Sequence, residues 1–231
     1  MDAEMAKRWY GGKWYASADG GVEPHSDPAN PAEMERVVGP IREQLSREIT
    51  PGARALDLGC LAGRFTFAME QMGALATGLD CVGWVLEYAR SLAARWSSRC
   101  TFVEGDFERL PFGPGSFDLV LFPMNIVEAS YRQMEVLVDQ LATIIAPGGK
   151  LCILMGDGLL RAIQRGQMPG YDPATGVLAG TNRSQGHEPV QVDAWFWTVG
   201  FARHVVERRF GMVRCEQLQD GRFWLVFVNR Q

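Results

Sequence analysis

The chain has 231 residues and a formal net charge of −4, with 47% apolar and 22% charged residues, the composition of a globular domain with a core of its own. That apolar share excludes low-complexity disorder, and no run approaches the roughly eighteen apolar residues of a membrane span. The acidic balance provides no general attraction to nucleic acid or anionic lipid, so neither is expected as a partner.

The first thirty residues are rich in glycine and aromatics, Tyr10 and Trp14 among them. Asn30-Pro31-Ala32-Glu33 then predicts a helix start, with Asn as N-cap and Pro at the first helical position. Met34, Val37, Val38, Ile41, Leu45 and Ile49 follow at helical spacing as far as Pro51-Gly52. From Arg54 onward strands and helices alternate. Strands are expected over 54–58, 74–79, 100–103, 117–122 and 150–155, and helices over 65–72, 82–96 and 131–145. The fourth strand, FDLVLF, is too continuously apolar to face water on either side. Residues 156–192 break the pattern with seven glycines and three prolines, which predicts a loop or small hairpin cap. A helix over 193–204 follows, then strands over 212–218 and 222–228 joined at Asp220-Gly221, a strong hairpin signal.

The fold class is therefore α/β, a doubly wound, mostly parallel seven-stranded sheet with a C-terminal antiparallel hairpin. Four regions are expected: 1–50 as an aromatic segment and helix, 51–155 as the ligand-binding core, 156–192 as a cap, and 193–231 as the last helix and hairpin. Cys60, Cys81, Cys100, Cys152 and Cys215 contain no C-x-x-C pair. Neither a disulfide framework nor a metal site is expected, and cytoplasmic localisation follows from reduced cysteines and the lack of an apolar leader.

The chemistry gathers at strand ends. In ALDLGCLAGRF a strand carries Asp57 and a loop with Gly59 and Gly63 turns into a helix. The G-x-x-x-G spacing is not the dinucleotide fingerprint and no P-loop lysine follows, so pyrophosphate binding is unsupported. A second strand ends at Asp80, roughly twenty residues on, where an acid can accept from both ribose hydroxyls. A third runs into Glu104-Gly105-Asp106-Phe107, an acid beside an aromatic suited to a purine. Acids at three adjacent strand ends would repel a polyphosphate and suit a neutral or cationic nucleoside.

These motifs resemble those of the class I S-adenosylmethionine-dependent methyltransferases, over about residues 33–155 and again in the final hairpin. ALDLGCLAGRF is similar to the family's first motif, ATGLDCVGWVLEYAR to its second, and VEGDFERLPFGPGSFDLVLF to its adenine and fourth-strand segments. The resemblance implies S-adenosylmethionine as cofactor. It places Asp57, Gly59, Cys60 and Gly63 at the methionine moiety, Asp80 and Cys81 at the ribose, and Asp106 and Phe107 at the adenine. Pro123, after the fourth strand, completes the cofactor set. Leu61 stands where the family commonly has its middle glycine, so a wider loop or a differently seated cofactor tail is expected.

The implied activity is methyl transfer to a small-molecule nucleophile by in-line displacement. Asn125 and Glu128 are the polar groups expected in the pocket, Glu128 either orienting an amine or standing as a helix N-terminal acid. Tyr131 either points inward beside them or opens the next helix. The family's [DN]-P-P-[FY] segment for amide or adenine nitrogen is absent after FDLVLF. Trp195 and Trp197 are read either as rings lining the site or as helix packing, and Tyr10, Trp14 and Tyr171 as lid residues or anchors. Two other uses of the site stay open: cyclisation of the cofactor's own amine to azetidine-2-carboxylate with release of methylthioadenosine, and nucleoside binding without catalysis. A monomer or homodimer is expected.

Overall fold

The computed structural model describes residues 27–124, 131–156, 171–172, 177–182, 190–195 and 198–230. Helix α1 (Pro31–Val38) starts where the Asn30 side chain accepts the Ala32 amide at 3.1 Å. The expected single helix is broken by a 3₁₀ turn at Gly39–Ile41 before α2 (Arg42–Glu48), because Pro40 cannot donate to an α-helical ladder. Strand β1 (Arg54–Leu58), α3 (Arg64–Gln71), β2 (Leu75–Asp80), α4 (Gly83–Arg95), β3 (Thr101–Glu104) and β4 (Phe117–Met124) follow. Then come α5 (Tyr131–Ile144) and β5 (Ile145–Gly156).

The main sheet has the order β3-β2-β1-β4-β5-β10-β9. Strands β1 to β5 are mutually parallel, and β10 (Arg222–Asn229) lies antiparallel between β5 and β9 (Phe210–Gln217). This is the expected class, including the closing hairpin. Alternation along each strand divides the core into two layers. Leu56, Val120, Ile153 and Leu225 face α5 and the last helix, α6 (Val199–Val206). Ala55, Leu121, Leu154 and Trp224 face α1 to α4. The N-terminus of β5 begins earlier than expected, with a register jump between Phe117↔Ile145 and Leu119↔Lys150 that absorbs Pro147-Gly148-Gly149.

Two expectations need correction. Residues 193–195 are not helical: β8 (Val190–Trp195) pairs with β7 (Val177–Asn182), which pairs with β6 (Tyr171–Asp172), in a separate antiparallel sheet. The excursion between β5 and α6 therefore carries its own sheet and reaches Trp195, beyond the expected boundary at residue 192. Helix α6 starts only at Val199, where the Thr198 hydroxyl accepts the Phe201 amide at 3.2 Å. Trp96, expected on the buried face of α4, is 42% exposed. It follows the last helical residue and meets Phe67 edge-on at 4.8 Å between ring centroids. Among the described residues no helix is long and apolar enough to cross a membrane.

Candidate functional site

The carboxyl ends of β1, β2 and β3 lie side by side, with Asp57 opposite Gly78 and Asp80 opposite Glu104 in register. Asp57 is wholly buried and points toward α3, where the Thr66 hydroxyl donates to its Oδ2 at 2.8 Å. Its other oxygen, Oδ1, is buried and has no hydrogen-bond partner among the described residues. Burial pushes this carboxyl up to about 7, against the opposing hydrogen bonds from the Thr66 side chain and backbone. A buried acid with one unsatisfied oxygen is costly, and a donor supplied by a ligand relieves that cost.

The loop after β1 is shaped by positive φ angles at Gly59 (78°), Leu61 (52°) and Gly63 (90°). Leu61 therefore holds the left-handed conformation that glycine adopts most readily, at some cost in strain. The loop is not left to splay: the Leu61 amide donates to Asp80 Oδ2 at 2.9 Å, and its side chain packs against the buried cluster of Ala62, Val82 and Val85. Gly59 and Cys60 both donate their amides to the Leu79 carbonyl, at 2.8 and 2.9 Å, which ties the loop to the end of β2.

Asp80, 5% exposed, also accepts the Val82 amide at 3.0 Å through Oδ1. One carboxylate thus pins the first and second motif loops together. Burial raises its titration point, against the amides of Val82, Leu61 and Cys81 that lower it. The amides of Leu61 and Val82 take one Asp80 oxygen each, and with the Cys81 amide also directed at it the carboxylate keeps room for one further donor.

Asp106 Oδ1 accepts the amides of Glu108 and Arg109 at 2.8 and 3.1 Å, forming a tight turn. The Phe107 ring stands edge-on to Phe122 at 5.7 Å. It also reaches over the first loop, since a Cβ added to Gly59 would lie 3.3 Å from its ring. The structure so brings Asp57, Gly59, Asp80, Asp106 and Phe107 to one sheet edge. Gln140 of α5, unforeseen in the sequence, clamps the third loop: it accepts the Leu110 amide at 2.7 Å and donates to the carbonyls of Phe107 and Glu108 at 2.9 and 3.1 Å. Its position on the inner turn of a helix carries no motif.

Pro123 is half-buried near the end of β4. The β1 pairing of β4 is described only as far as Asp57↔Leu121, so its missing amide breaks no rung on that side. Cys81 is partly exposed, carries a free thiol and packs against the cluster of Ala62, Val82 and Val85. Tyr131 opens α5 and packs against Phe201 of α6, 5.2 Å between ring centroids. Tyr171 and Trp195 occupy positions in the small sheet, on β6 and β8. Tyr10, Trp14, Asn125, Glu128 and Trp197 lie outside the described residues. No group of three His, Cys, Asp or Glu among the described residues is arranged to hold a metal.

Residues 55–149 match the profile of a family described as a methyltransferase domain. Over these residues the chain is similar to a methyltransferase domain, and its strand order is that of the Rossmann-like methyltransferase fold. A ubiquinone biosynthesis O-methyltransferase of Xanthomonas campestris is 30% identical over 151 residues, 64% of this chain and 56% of that protein. Among solved structures, the PH0226 protein of Pyrococcus horikoshii superposes with a TM-score of 0.76 at 21% identity, covering 90% of this chain and 96% of that one. The N-methyltransferase NodS of Bradyrhizobium japonicum, solved with S-adenosyl-L-homocysteine, gives a TM-score of 0.59 at 20% identity, covering 87% of this chain and 89% of its own. The chain spans about half the length of the curated relatives it matches.

Proposed function

We propose that this protein transfers a methyl group from S-adenosylmethionine to a nucleophile on a small organic molecule. The observation that carries this reading is the unsatisfied, fully buried Oδ1 of Asp57 beside the left-handed glycine loop. Such an atom wants a cationic donor, and the cofactor's ammonium provides one. When bound, the cofactor supplies an electrophilic methyl carbon on a sulfonium centre.

In this reading Asp57 accepts from the ammonium, while Gly59, Cys60 and Gly63 let the backbone approach the amino-acid part closely. Asp80 uses its remaining room on a ribose hydroxyl, with Cys81 along that edge. Asp106 accepts from the purine amino group, Phe107 offers its ring, and Pro123 closes the far side. These residues contribute orientation and exclusion of water, which is most of what in-line displacement requires. Asn125, Glu128 and Tyr131 are proposed to orient the acceptor. The Tyr131 contact with Phe201 supports a wall of the pocket better than a proton-transfer role for that ring. The small sheet of β6 to β8, with Tyr171 and Trp195, follows the core strands and is proposed to select the substrate. A small molecule is favoured over nucleic acid by the net charge of −4. The same reading takes the protein to act in the cytoplasm as a monomer or homodimer.

Purified protein incubated with S-adenosylmethionine and a panel of small amines, phenols and carboxylates tests this directly. S-adenosylhomocysteine formed only with an acceptor is the expected result. Methylthioadenosine formed without one overturns methyl transfer in favour of cyclisation. Tight binding without turnover across the panel indicates a nucleoside-binding module instead.

A further inference from the structure

Thr66 belongs to no motif singled out in the sequence, yet it is the described side chain that bonds Asp57. It is wholly buried, the third residue of α3, and its hydroxyl lies 2.8 Å from Asp57 Oδ2. A threonine early in a helix can turn its hydroxyl back on local backbone. Here it reaches across to the preceding strand instead.

The neighbouring strand makes room for this contact. Gly78 sits in the interior of β2, directly opposite Asp57. A Cβ there would lie 2.8 Å from the Thr66 hydroxyl, 2.7 Å from Cys60 Sγ and 2.9 Å from the Phe102 ring. Its φ is outside the left-handed region, so it is the missing side chain that matters, not backbone freedom. Glycine in a strand interior weakens the strand, and marks a place where another group must come close. The Thr66 hydroxyl is one of the three groups that come close here, with Cys60 Sγ and the Phe102 ring.

We propose that Thr66 is a positioning residue of the cofactor site: its hydroxyl holds one oxygen of Asp57 and leaves the other for the cofactor's ammonium, so that loading expels the Asp57 proton. This rests on the reading of Asp57 given above. The hydroxyl stabilises the ionised carboxylate against the burial that disfavours it. The charged and titratable groups facing Asp57 are few. Arg64, at the start of α3, favours ionisation and Asp80 of β2 opposes it. The Cys60 thiol is pushed well above its ordinary value by burial, and that of Cys100 up to about 12 for the same cause. Both stay neutral across the working range, and of the groups that favour ionisation of Asp57 the Thr66 hydroxyl counts for most.

The test uses the full chain and two probes, S-adenosylhomocysteine and adenosine, titrated calorimetrically from pH 5.5 to 8. For the wild type, S-adenosylhomocysteine affinity is expected to rise with pH toward a plateau, with protons released on binding, while adenosine affinity stays flat. Thr66→Val keeps the volume and removes the hydroxyl. It should move the rise upward by about one pH unit, hence weaken binding about tenfold below the midpoint, and leave adenosine unchanged. Thr66→Ser should restore the wild-type profile. Gly78→Ala, which crowds the hydroxyl, should shift the profile in the same direction as Thr66→Val. If Thr66→Val does not fold, the Ser and Gly78 variants decide. An unshifted profile in the variants, or an equal loss at every pH and with both probes, overturns the positioning role and leaves the assignment of Asp57 standing. Failure of the wild type to bind either probe overturns the cofactor reading itself.

Discussion

At the amino edge of the sheet, Glu48 is held between Lys150, at 2.8 Å, and Arg214, and Asp118 is forked by Arg54 at 2.6 and 3.1 Å. At the carboxyl edge, Asp57, Asp80 and Asp106 accept instead from a hydroxyl and from backbone amides. Both edges place acids at strand ends, and the amino edge even has a cleft of about 440 Å³ lined by Glu48, Asp118 and Lys150. The difference lies in what meets the charge. A fixed cation neutralises a carboxylate, and nothing further is asked of a ligand. An amide or hydroxyl orients a carboxylate yet leaves its charge uncompensated, so the carboxyl edge remains attractive to a cation. Acids at the amino edge staple α2 and β1 to the sheet, while those at the other edge hold loops in shape around an open demand.

Breaking the amino-edge staple should have the largest effect on the fold and none on the ligand. Glu48→Ala leaves two cations without their buried partner. We expect a loss of about 2–3 kcal/mol, below the full cost for a buried pair because Lys150 and Arg214 are partly exposed. Urea denaturation measures the loss, and S-adenosylhomocysteine affinity should stay within about twofold.

The opposite pattern is expected of Asp57→Asn. Replacing the charged acceptor should weaken S-adenosylhomocysteine binding by about 10- to 100-fold, the worth of one hydrogen bond to a charged group. The fold should not suffer, and its pH dependence supplies a sharper check. Because the folded-state titration point of Asp57, about 7, lies above its ordinary value of 3.8, the folded protein holds that proton over the range where the unfolded chain has lost it. Its contribution to stability is therefore full below about pH 4 and declines as pH rises toward 7. Thermal melts of the ligand-free protein at pH 5 and pH 8 should show this decline in the wild type and a smaller one in Asp57→Asn. Equal declines would place the titration elsewhere.

The smallest effect concerns Leu61. Leu61→Gly relieves left-handed strain of about 1 kcal/mol and gives up a comparable amount of half-buried apolar surface, so melting should hardly move. Leu61→Val, β-branched at positive φ, should lower stability by about 1 kcal/mol or more. A large gain from the glycine variant would mean that the packing of Leu61 against Ala62, Val82 and Val85 counts for little.

What the sequence made legible follows from which physics is local. The run from β1 to β4, the glycine loop and the three acids were readable because strand alternation, turn glycines and strand-end acids each leave a periodic or positional mark. The break at Pro40 was readable in principle and was overridden by an unbroken helical spacing of apolar residues. Residues 193–195 were misread for a similar reason: Val190, Val192 and Ala194 alternate as a strand does, and the N-cap signal at Thr198 marks the true helix start. Gln140 and the Glu48 clamp were invisible because each joins residues far apart in the chain, and Thr66, nine positions from Asp57, because a lone threonine within a helix carries no motif. Glu48 and Arg214 are 166 positions apart, and no window of neighbours can register such a pair.

The position of β10 has a further consequence for how the protein is made. Although among the last segments in sequence, β10 lies inside the sheet between β5 and β9, and Trp224, Leu225 and Phe227 serve both core layers. Asn229 at its end donates from Nδ2 to the carbonyls of Ala142 and Ile145 at 2.9 and 2.7 Å, closing the turn out of α5. A nascent chain can assemble the parallel strands early, yet the sheet must keep an open edge at β5 until residues 222–229 leave the ribosome. Completion of the core is thus an event that follows synthesis of those residues, with β5 exposed to wrong partners in the interval.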